Sequence, residues 1–131
     1  MTRRIMVIDD DSNLRLALKY RFEREEYIVQ TAADGFEALE KVRAERPDLI
    51  ILDLAMPKMN GLEFLSRLRD EFQALDIPVV VLTAVGLDGY RGQGDGLRIA
   101  DLIMKPFDAR RLIASVEEAL ANPDQSKRAE A

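Results

Sequence analysis

Two patterns of apolar positions alternate along the chain. Short continuous apolar runs are typical of strands buried on both faces, whereas apolar residues three or four positions apart indicate helices packed by one face. Runs of the first kind predict five strands, at residues 5–8, 27–32, 49–52, 79–82 and 102–104. The second run is the most mixed in polarity, which favours a place for it at an edge of the sheet.

Segments with helical spacing follow these runs. Their apolar faces are Leu14, Ala17, Leu18 and Phe22 in the first, Phe36, Ala38, Leu39 and Val42 in the second (residues 35–44), Leu62, Leu65, Leu68 and Phe72 in the third (from about Gly61), and Leu112, Ile113, Val116 and Leu120 in the last. The resulting (βα)5 pattern predicts an α/β fold, a doubly wound parallel sheet with helices on both faces and right-handed crossovers.

The helix expected after the fourth strand departs from this pattern. Residues 86–96 contain five glycines, Gly86, Gly89, Gly92, Gly94 and Gly96. Each glycine inside a helix costs about 1 kcal/mol relative to alanine. We therefore predict a shortened, irregular or mobile fourth helix. The cluster matches neither GxGxxG nor GxxxxGK[ST], so a flexible loop is favoured over a phosphate-binding loop.

Length and charge limit the classes of protein that fit. The 131 residues suit one domain, which we place at residues 1–121, with a polar tail or linker at 122–131. A net charge of −5 argues against direct contact with nucleic acid. No apolar run is long enough to span a bilayer, and we expect a cytoplasmic protein without membrane contact.

Two residue types are absent altogether. Without cysteine there is no disulfide framework and no thiolate chemistry. Without histidine there is no Ser-His-Asp hydrolase and no His-ligated zinc site. Any chemistry must come from carboxylates, hydroxyls, lysines and arginines, with or without a metal that prefers oxygen ligands.

Polar side chains stand where four of the predicted strands end. They are Asp9, Asp10 and Asp11 after the first strand, Asp53 after the third, Thr83 after the fourth and Lys105 after the fifth. The carboxyl ends of parallel strands lie along one edge of the sheet, where ligands bind, so these residues should meet in one shallow pocket. We assign Asp11 mainly to capping the first helix.

The chemistry of this set points to magnesium and phosphate. Asp53 follows four apolar residues, and a carboxylate there is costly to desolvate without a partner. Lys105 can supply a counter-charge, and Mg²⁺ prefers hard oxygen ligands such as one or two carboxylates. A carboxylate nucleophile can also form an acyl phosphate.

Five segments, read together, resemble the receiver domain of two-component response regulators. They are IMVIDDDSNLRLAL, AADGFEALEKV, PDLIILDLAMPKMNGLEFL, IPVVVLTA and LIMKPF, and the resemblance extends over residues 3–121. It implies the CheY-like, flavodoxin-type strand order 2-1-3-4-5. It also implies a signalling domain whose only chemistry is its own phosphorylation and dephosphorylation.

The resemblance implies a role for each residue of the pocket. Asp53 corresponds to the phosphoacceptor, and Asp9 and Asp10 correspond to the acidic pair that binds Mg²⁺ together with Asp53 and the backbone carbonyl of Ala55. Thr83 corresponds to the switch hydroxyl. In the same way Lys105 is the lysine that pairs with the phosphoryl oxygens, its bond to Pro106 is expected to be cis, and Pro57 and Gly61 shape the loop after Asp53.

Partners follow from the same resemblance. The phosphoryl donor would be a histidine kinase or a histidine phosphotransfer protein, and the face formed by the fourth helix, fifth strand and last helix would act on an effector domain or target. Leu102 stands at a switch position that is usually aromatic in the family. Neither Ala55 nor Val85, which flank the site, could position a hydrolytic water, which predicts slow loss of phosphate.

Two alternatives stay open. A small haloacid-dehalogenase-type phosphatase would use Asp9 and Asp11 as nucleophile and acid, with Thr83 and Lys105 as its further motifs, but it leaves Asp53 unexplained. A degenerate receiver would act as an interaction module without phosphorylation, since fold and motif alone do not establish activity.

Overall fold

The computed structural model describes residues 2–56, 58–72, 77–84, 98–121 and 129–130, with the backbone alone at 98, 129 and 130. Five parallel strands form its central sheet, namely β1 (Arg4–Ile8), β2 (Ile28–Ala32), β3 (Leu49–Asp53), β4 (Val79–Thr83) and β6 (Asp101–Met104). Two short strands, β5 (Arg98–Ile99) and β7 (Ala129–Glu130), pair with each other antiparallel.

The order of the strands in the central sheet is β2-β1-β3-β4-β6. This order confirms the predicted 2-1-3-4-5 arrangement, and it confirms the edge position of the second strand. The register aligns the strand ends, because Ile8 is paired with both Ala32 and Leu52. In the same way Asp53 lies beside Leu82, and Thr83 lies beside Met104.

Four helices are described: α1 (Ser12–Arg24), α2 (Gly35–Ala44), α3 (Gly61–Glu71) and α4 (Ala109–Ala121). The first three begin after side-chain caps, with the oxygens of Asp11, Asp34 and Asn60 accepting hydrogen bonds from backbone N–H groups of the first turn. None of these helices combines the length and the apolar composition that crossing a bilayer requires.

Some of the predictions concern parts of the chain outside the described residues. These are the irregular fourth helix with the glycines of 86–96, the side chain of Val85, the loop residue Pro57 and most of the tail at 122–131. The prediction of a single domain at 1–121 stays a prediction.

Both faces of the sheet are covered, which is why the strands read as continuous apolar runs. Met6 and Ile8 of β1 face one core with Ile50 and Leu52 of β3, and this core includes the buried residues of α2 and α3. The alternate residues face a second core, which includes the buried residues of α1 and α4. Packing on both faces fixes the register, because a shift by one residue would exchange every side chain between the two cores.

Helix α4 is also tied to the edge strand by polar contacts. The Asp101 carboxylate accepts a hydrogen bond of 2.7 Å from the Ser115 hydroxyl and one of 3.0 Å from the Arg111 guanidinium. These bonds hold the helix against the strand that leads to Lys105.

Gly61 is the residue that sets how closely α3 approaches the end of β3. A Cβ added at Gly61 would lie 2.6 Å from the Cα of Leu54 and 2.8 Å from the carbonyl oxygen of Asp53. At Gly35, by contrast, the nearest atom would be the sulfur of Met59 at 2.6 Å. A backbone atom cannot move aside as readily as the end of a methionine side chain.

We therefore expect Gly61→Ala to destabilise the fold by about 1–3 kcal/mol, and the matched Gly35→Ala to cost about 1 kcal/mol less than that. Both glycines occupy the first position of a helix, so the gain in helix propensity is common to the two variants. Urea unfolding of both variants measures the difference. Equal losses, or a larger loss at Gly35, would contradict this account of the loop.

Candidate functional site

The polar residues at the strand ends lie together at one edge of the sheet. Asp9 follows β1, Asp53 is the last residue of β3, Thr83 is the last residue of β4, and Lys105 follows β6. Lys105 Nζ lies 3.1 Å from Asp9 Oδ2 and 3.6 Å from Asp53 Oδ2, although 96 positions separate Lys105 from Asp9 in the chain. Asp9, Asp53 and Lys105 are therefore in direct contact at this edge.

Asp9 is hydrogen-bonded through both its backbone and its side chain. It is 1% exposed, its backbone N–H donates to the carbonyl of Ala32 at 3.1 Å, and its Oδ1 accepts from the N–H of Asp11 at 2.9 Å. Its own carbonyl accepts from Arg15 Nη1 at 2.7 Å. The backbone of Asp9 is thus fixed, and turning its carboxylate away would break the bonds from the N–H of Asp11 and from Lys105 Nζ.

Asp10 differs from Asp9 because it is exposed to solvent. Ligand oxygens of Asp9, Asp10 and Asp53 lie within 4.8 Å of one another. Three carboxylates at this separation repel one another strongly unless a cation or a proton reduces their charge. Hard oxygen donors of this kind suit a divalent cation such as Mg²⁺, Ca²⁺ or Mn²⁺, so the residues present fit a metal site.

Asp11 takes no part in this cluster. Its Oδ1 accepts hydrogen bonds from the backbone N–H groups of Asn13 and Leu14, at 3.0 and 3.3 Å. It caps α1, as the sequence predicted.

The environment of Asp53 disfavours its ionised form. Burial raises the pKa of Asp53 most, and the charge of Asp9 adds to it, so that the pKa reaches about 6. Lys105 and a hydrogen bond of 3.2 Å from the N–H of Ala55 act in the opposite direction but do not compensate. The carboxylate is thus a high-energy group in this pocket.

Lys105 is the counter-charge of the pocket. Burial lowers the pKa of its ammonium, but the hydrogen bond to Asp9 and the charges of Asp9 and Asp53 outweigh burial and raise the pKa above its usual value. The ammonium is therefore fully charged at neutral pH. The peptide bond to Pro106 is cis, the isomer that the resemblance implied.

The other predicted residues surround this centre. Thr83 is completely buried, and its carbonyl accepts a hydrogen bond of 2.8 Å from the N–H of Lys105. Leu102 is half-buried and packs against the core that includes α2 and α3. Ala55 lies exposed in the loop after β3, and Gly61 closes that loop with a bond of 2.8 Å from its N–H to the carbonyl of Leu54.

Sequence reasoning missed two residues that shape the site. Arg15 contacts Asp9 through a backbone carbonyl, and no motif marks such a contact. Lys58 has a positive φ of 67° and forms an ion pair of 3.7 Å with Asp34, which links the loop after β3 to the start of α2. Pro57 and Gly61 did indicate a shaped loop here, but they gave no sign of the ion pair between Lys58 and Asp34.

Known proteins share both the sequence and the fold of this chain. The family described as the response regulator receiver domain matches residues 5–117. The alkaline phosphatase synthesis transcriptional regulatory protein PhoP of Bacillus subtilis is 40% identical over 120 residues, which are 92% of this chain and 49% of PhoP. The DNA-binding dual master transcriptional regulator RpaA of Synechocystis is 37% identical over 93% of this chain and 51% of RpaA. The chain thus spans about half the length of these relatives.

Solved structures agree with this relationship. Chemotaxis protein CheY4 of Vibrio cholerae has a TM-score of 0.82 at 30% identity and covers 90% of this chain and 98% of its own. Response regulator TrrA of Thermotoga maritima, in complex with Mg²⁺ and BeF, has a TM-score of 0.78 at 32% identity, covering 89% of this chain and 98% of its own. The chain belongs to the family of receiver domains of two-component response regulators.

Proposed function

We propose that this receiver domain takes up a phosphoryl group on Asp53 with the help of Mg²⁺ and passes the change to a partner through an altered surface. The observation that carries the proposal is the position of Asp53. A buried carboxylate with a raised pKa stands at a strand end, beside a second carboxylate and a lysine ammonium that contacts both. Perturbed groups of this kind concentrate at functional sites.

The chemistry follows from the groups present. A carboxylate oxygen of Asp53 attacks the phosphorus of a phosphohistidine or an acyl phosphate. The new P–O bond forms as the bond to the donor breaks, and the leaving imidazole or carboxylate takes the electron pair. Because the chain has no histidine, the donor must come from outside, as a histidine kinase, a phosphotransfer protein or a small acyl phosphate.

Asp9, Asp10, Asp53 and the carbonyl of Ala55 would hold Mg²⁺. Bound there, Mg²⁺ supplies positive charge to the carboxylates and to the incoming phosphoryl oxygens, which is what phosphoryl transfer mainly requires. The Mg²⁺-BeF complex of the relative TrrA supports this assignment. Lys105 adds a second positive charge, in contact with both Asp9 and Asp53.

Phosphorylation would change the contacts of two segments. A phosphoryl group adds close to two negative charges and three acceptor oxygens at one point. Lys105 and the hydroxyl of Thr83 would then gain new partners, and β4, which carries Thr83, and β6, which Lys105 follows, could shift. Leu102 lies on β6 and is the residue through which such a shift would reach the core. The output surface would be the predicted fourth helix with β6 and α4.

The wider setting of the domain is part of this proposal. We place residues 1–121 as the receiver and 122–131 as a tail or linker, in the cytoplasm. The relatives PhoP and RpaA are transcriptional regulators of about twice the matched length, which supports an effector domain or target beyond this segment. Contact with nucleic acid is not assigned to the receiver itself, given its net charge of −5.

The phosphatase alternative loses support from the arrangement of its own residues. It requires Asp11 as an acid beside Asp9, whereas the Asp11 carboxylate caps α1. The phosphatase mechanism also gives no role to the close contact of Lys105 with Asp53. The degenerate receiver remains the rival that an experiment must separate.

The first prediction concerns covalent labelling. With Mg²⁺ and acetyl phosphate, the intact mass should rise by one phosphoryl group, and Asp53→Asn should abolish the adduct. Lys105→Met should reduce the yield, because the ammonium that stabilises the transferred oxygens is missing. Asp70→Asn, an exposed carboxylate of α3, serves as the matched control and should label normally.

An adduct that survives in Asp53→Asn would place the acceptor elsewhere. No adduct on the wild-type chain, with Mg²⁺ binding shown by titration, would favour a phosphorylation-independent interaction module.

The second prediction is a pH dependence of stability without divalent cations. The pKa of Asp53 is higher in the folded chain than in the unfolded chain, so the folded state binds this proton more tightly. The stability this contributes is complete below about pH 4 and is lost as the pH rises through about 6. Above pH 6 the ionised carboxylate destabilises the fold, and Asp53→Asn should stabilise it by roughly 2 kcal/mol.

Urea unfolding in EDTA from pH 4 to pH 8 tests this, with Asp70→Asn as the exposed control. The stabilisation by Asp53→Asn should vanish near pH 4, where the wild-type carboxyl is protonated. A gap between the two proteins that is constant with pH would contradict the assignment.

The third prediction concerns the loss of phosphate. The exposed side chain of Ala55 offers no group to orient an attacking water, so wild-type phosphate loss should take many minutes or longer. Ala55→Asn supplies an amide and should speed hydrolysis by roughly tenfold through positioning. The control is Ala114→Asn, which is exposed on α4. Wild-type loss within seconds, or equal rates in the two variants, would overturn this reasoning.

A further inference from the structure

Arg15 contacts the acidic cluster without belonging to it. Its Nη1 donates to the backbone carbonyl of Asp9 at 2.7 Å, a short distance for such a bond. Arg15 lies on the first turns of α1, and its own backbone N–H donates to the carbonyl of Asp11 at 3.0 Å. The residue therefore connects the helix to the strand end that it follows.

The carbonyl of Asp9 needs a donor for a structural reason. The ladders of β1 with β2 and β3 both end at Ile8, one residue earlier. A buried carbonyl beyond the last ladder pair must find another partner. A neutral donor would satisfy this need, yet the chain places a guanidinium there, whose planar group keeps its orientation better than an ammonium does.

Four hydrogen bonds then fix the turn that carries the acidic pair. Arg15 holds the Asp9 carbonyl, the N–H of Asp11 holds Asp9 Oδ1, and Asp11 in turn caps α1. Asp10 stands between these anchored residues and is exposed. The backbone on both sides of Asp10 is thus fixed, and so is the direction from which its carboxylate leaves the chain.

We propose that Arg15 is a positioning residue for the cation site: by holding the Asp9 carbonyl it keeps the carboxylates of Asp9 and Asp10 in register with Asp53 for Mg²⁺. The inference rests on the Mg²⁺ site proposed above. Groups that orient metal ligands without touching the metal typically change affinity by about 10- to 100-fold when they are removed.

The positive charge of Arg15 would lower the affinity for Mg²⁺, whereas its positioning role would raise it. A cation near a Mg²⁺ site repels the ion, so removal of the charge alone would tighten binding. Two substitutions separate the effects, because Arg15→Met removes both the charge and the bond, whereas Arg15→Lys keeps the charge and loses the rigid guanidinium. Positioning predicts weaker binding in both variants. Charge alone predicts tighter binding in Arg15→Met and no change in Arg15→Lys.

The test is a calorimetric titration of the full chain with MgCl₂ at constant ionic strength. We expect the dissociation constant to rise by about tenfold in Arg15→Met and by a smaller factor in Arg15→Lys. Arg24→Met, which removes the same charge from an exposed position of α1, is the control and should bind like the wild type. Urea unfolding of each variant, run in parallel, shows whether it is folded. The backbone amide NMR signals of the residues around Asp10 should shift only in the Arg15 variants.

The outcomes distinguish this inference from the proposed function. A wild-type chain that binds no Mg²⁺ would overturn the proposed function and the inference together. Normal binding by the wild type, with affinity in both Arg15 variants equal to or above that of the wild type, would overturn the inference alone. A loss of folded stability without a change in affinity would likewise leave Arg15 with only a structural role.

Discussion

The contact of Lys105 with two buried carboxylates is the interaction on which the site depends. Asp9 and Asp53 are almost fully withdrawn from water, at 1% and 4% exposed, and such charges are tolerated only with a counter-charge. The ammonium reaches both from the far edge of the sheet. It can do so only because two apolar cores fix the register of β1, β3, β4 and β6, so that these strands end at the same level.

This arrangement leaves the carboxylates of the pocket with too little positive charge around them. Lys105 offsets part of the repulsion among three carboxylates, but the raised pKa of Asp53 shows that a deficit of positive charge remains. Without a further cation, ionised Asp53 is expected to oppose folding above about pH 6. In the function we propose, a second cation would remove the deficit, and a phosphoryl group could then approach a centre that would otherwise repel it. The same charge imbalance thus underlies both the metal site and the reactivity we propose.

The sequence predicted the parts of this fold that long patterns encode. Five apolar runs led to the correct strands, and the carboxylate of Asp53, unexpected after four apolar residues, pointed to the site. Contacts made through the backbone could not be predicted from the sequence. The bond from Arg15 goes to a carbonyl that every residue possesses, the close approach at Gly61 depends on where Leu54 lies, and two-residue strands such as β5 and β7 are too short for a periodic signal.

The acidic pair is divided between two physical roles. Asp9 already has partners for its N–H, its carbonyl and both carboxylate oxygens, whereas Asp10 is exposed. In the Mg²⁺ site we propose, Asp9 would therefore enter as a ligand already held in place, while Asp10 would exchange solvent for the cation. A bound cation would offset part of the carboxylate charge and so would weaken the attraction of Asp9 and Asp53 for Lys105. In the function we propose, the ammonium would then be available for the oxygens of a phosphoryl group, so that Mg²⁺ binding would also prepare Lys105 for its contact with the phosphoryl group.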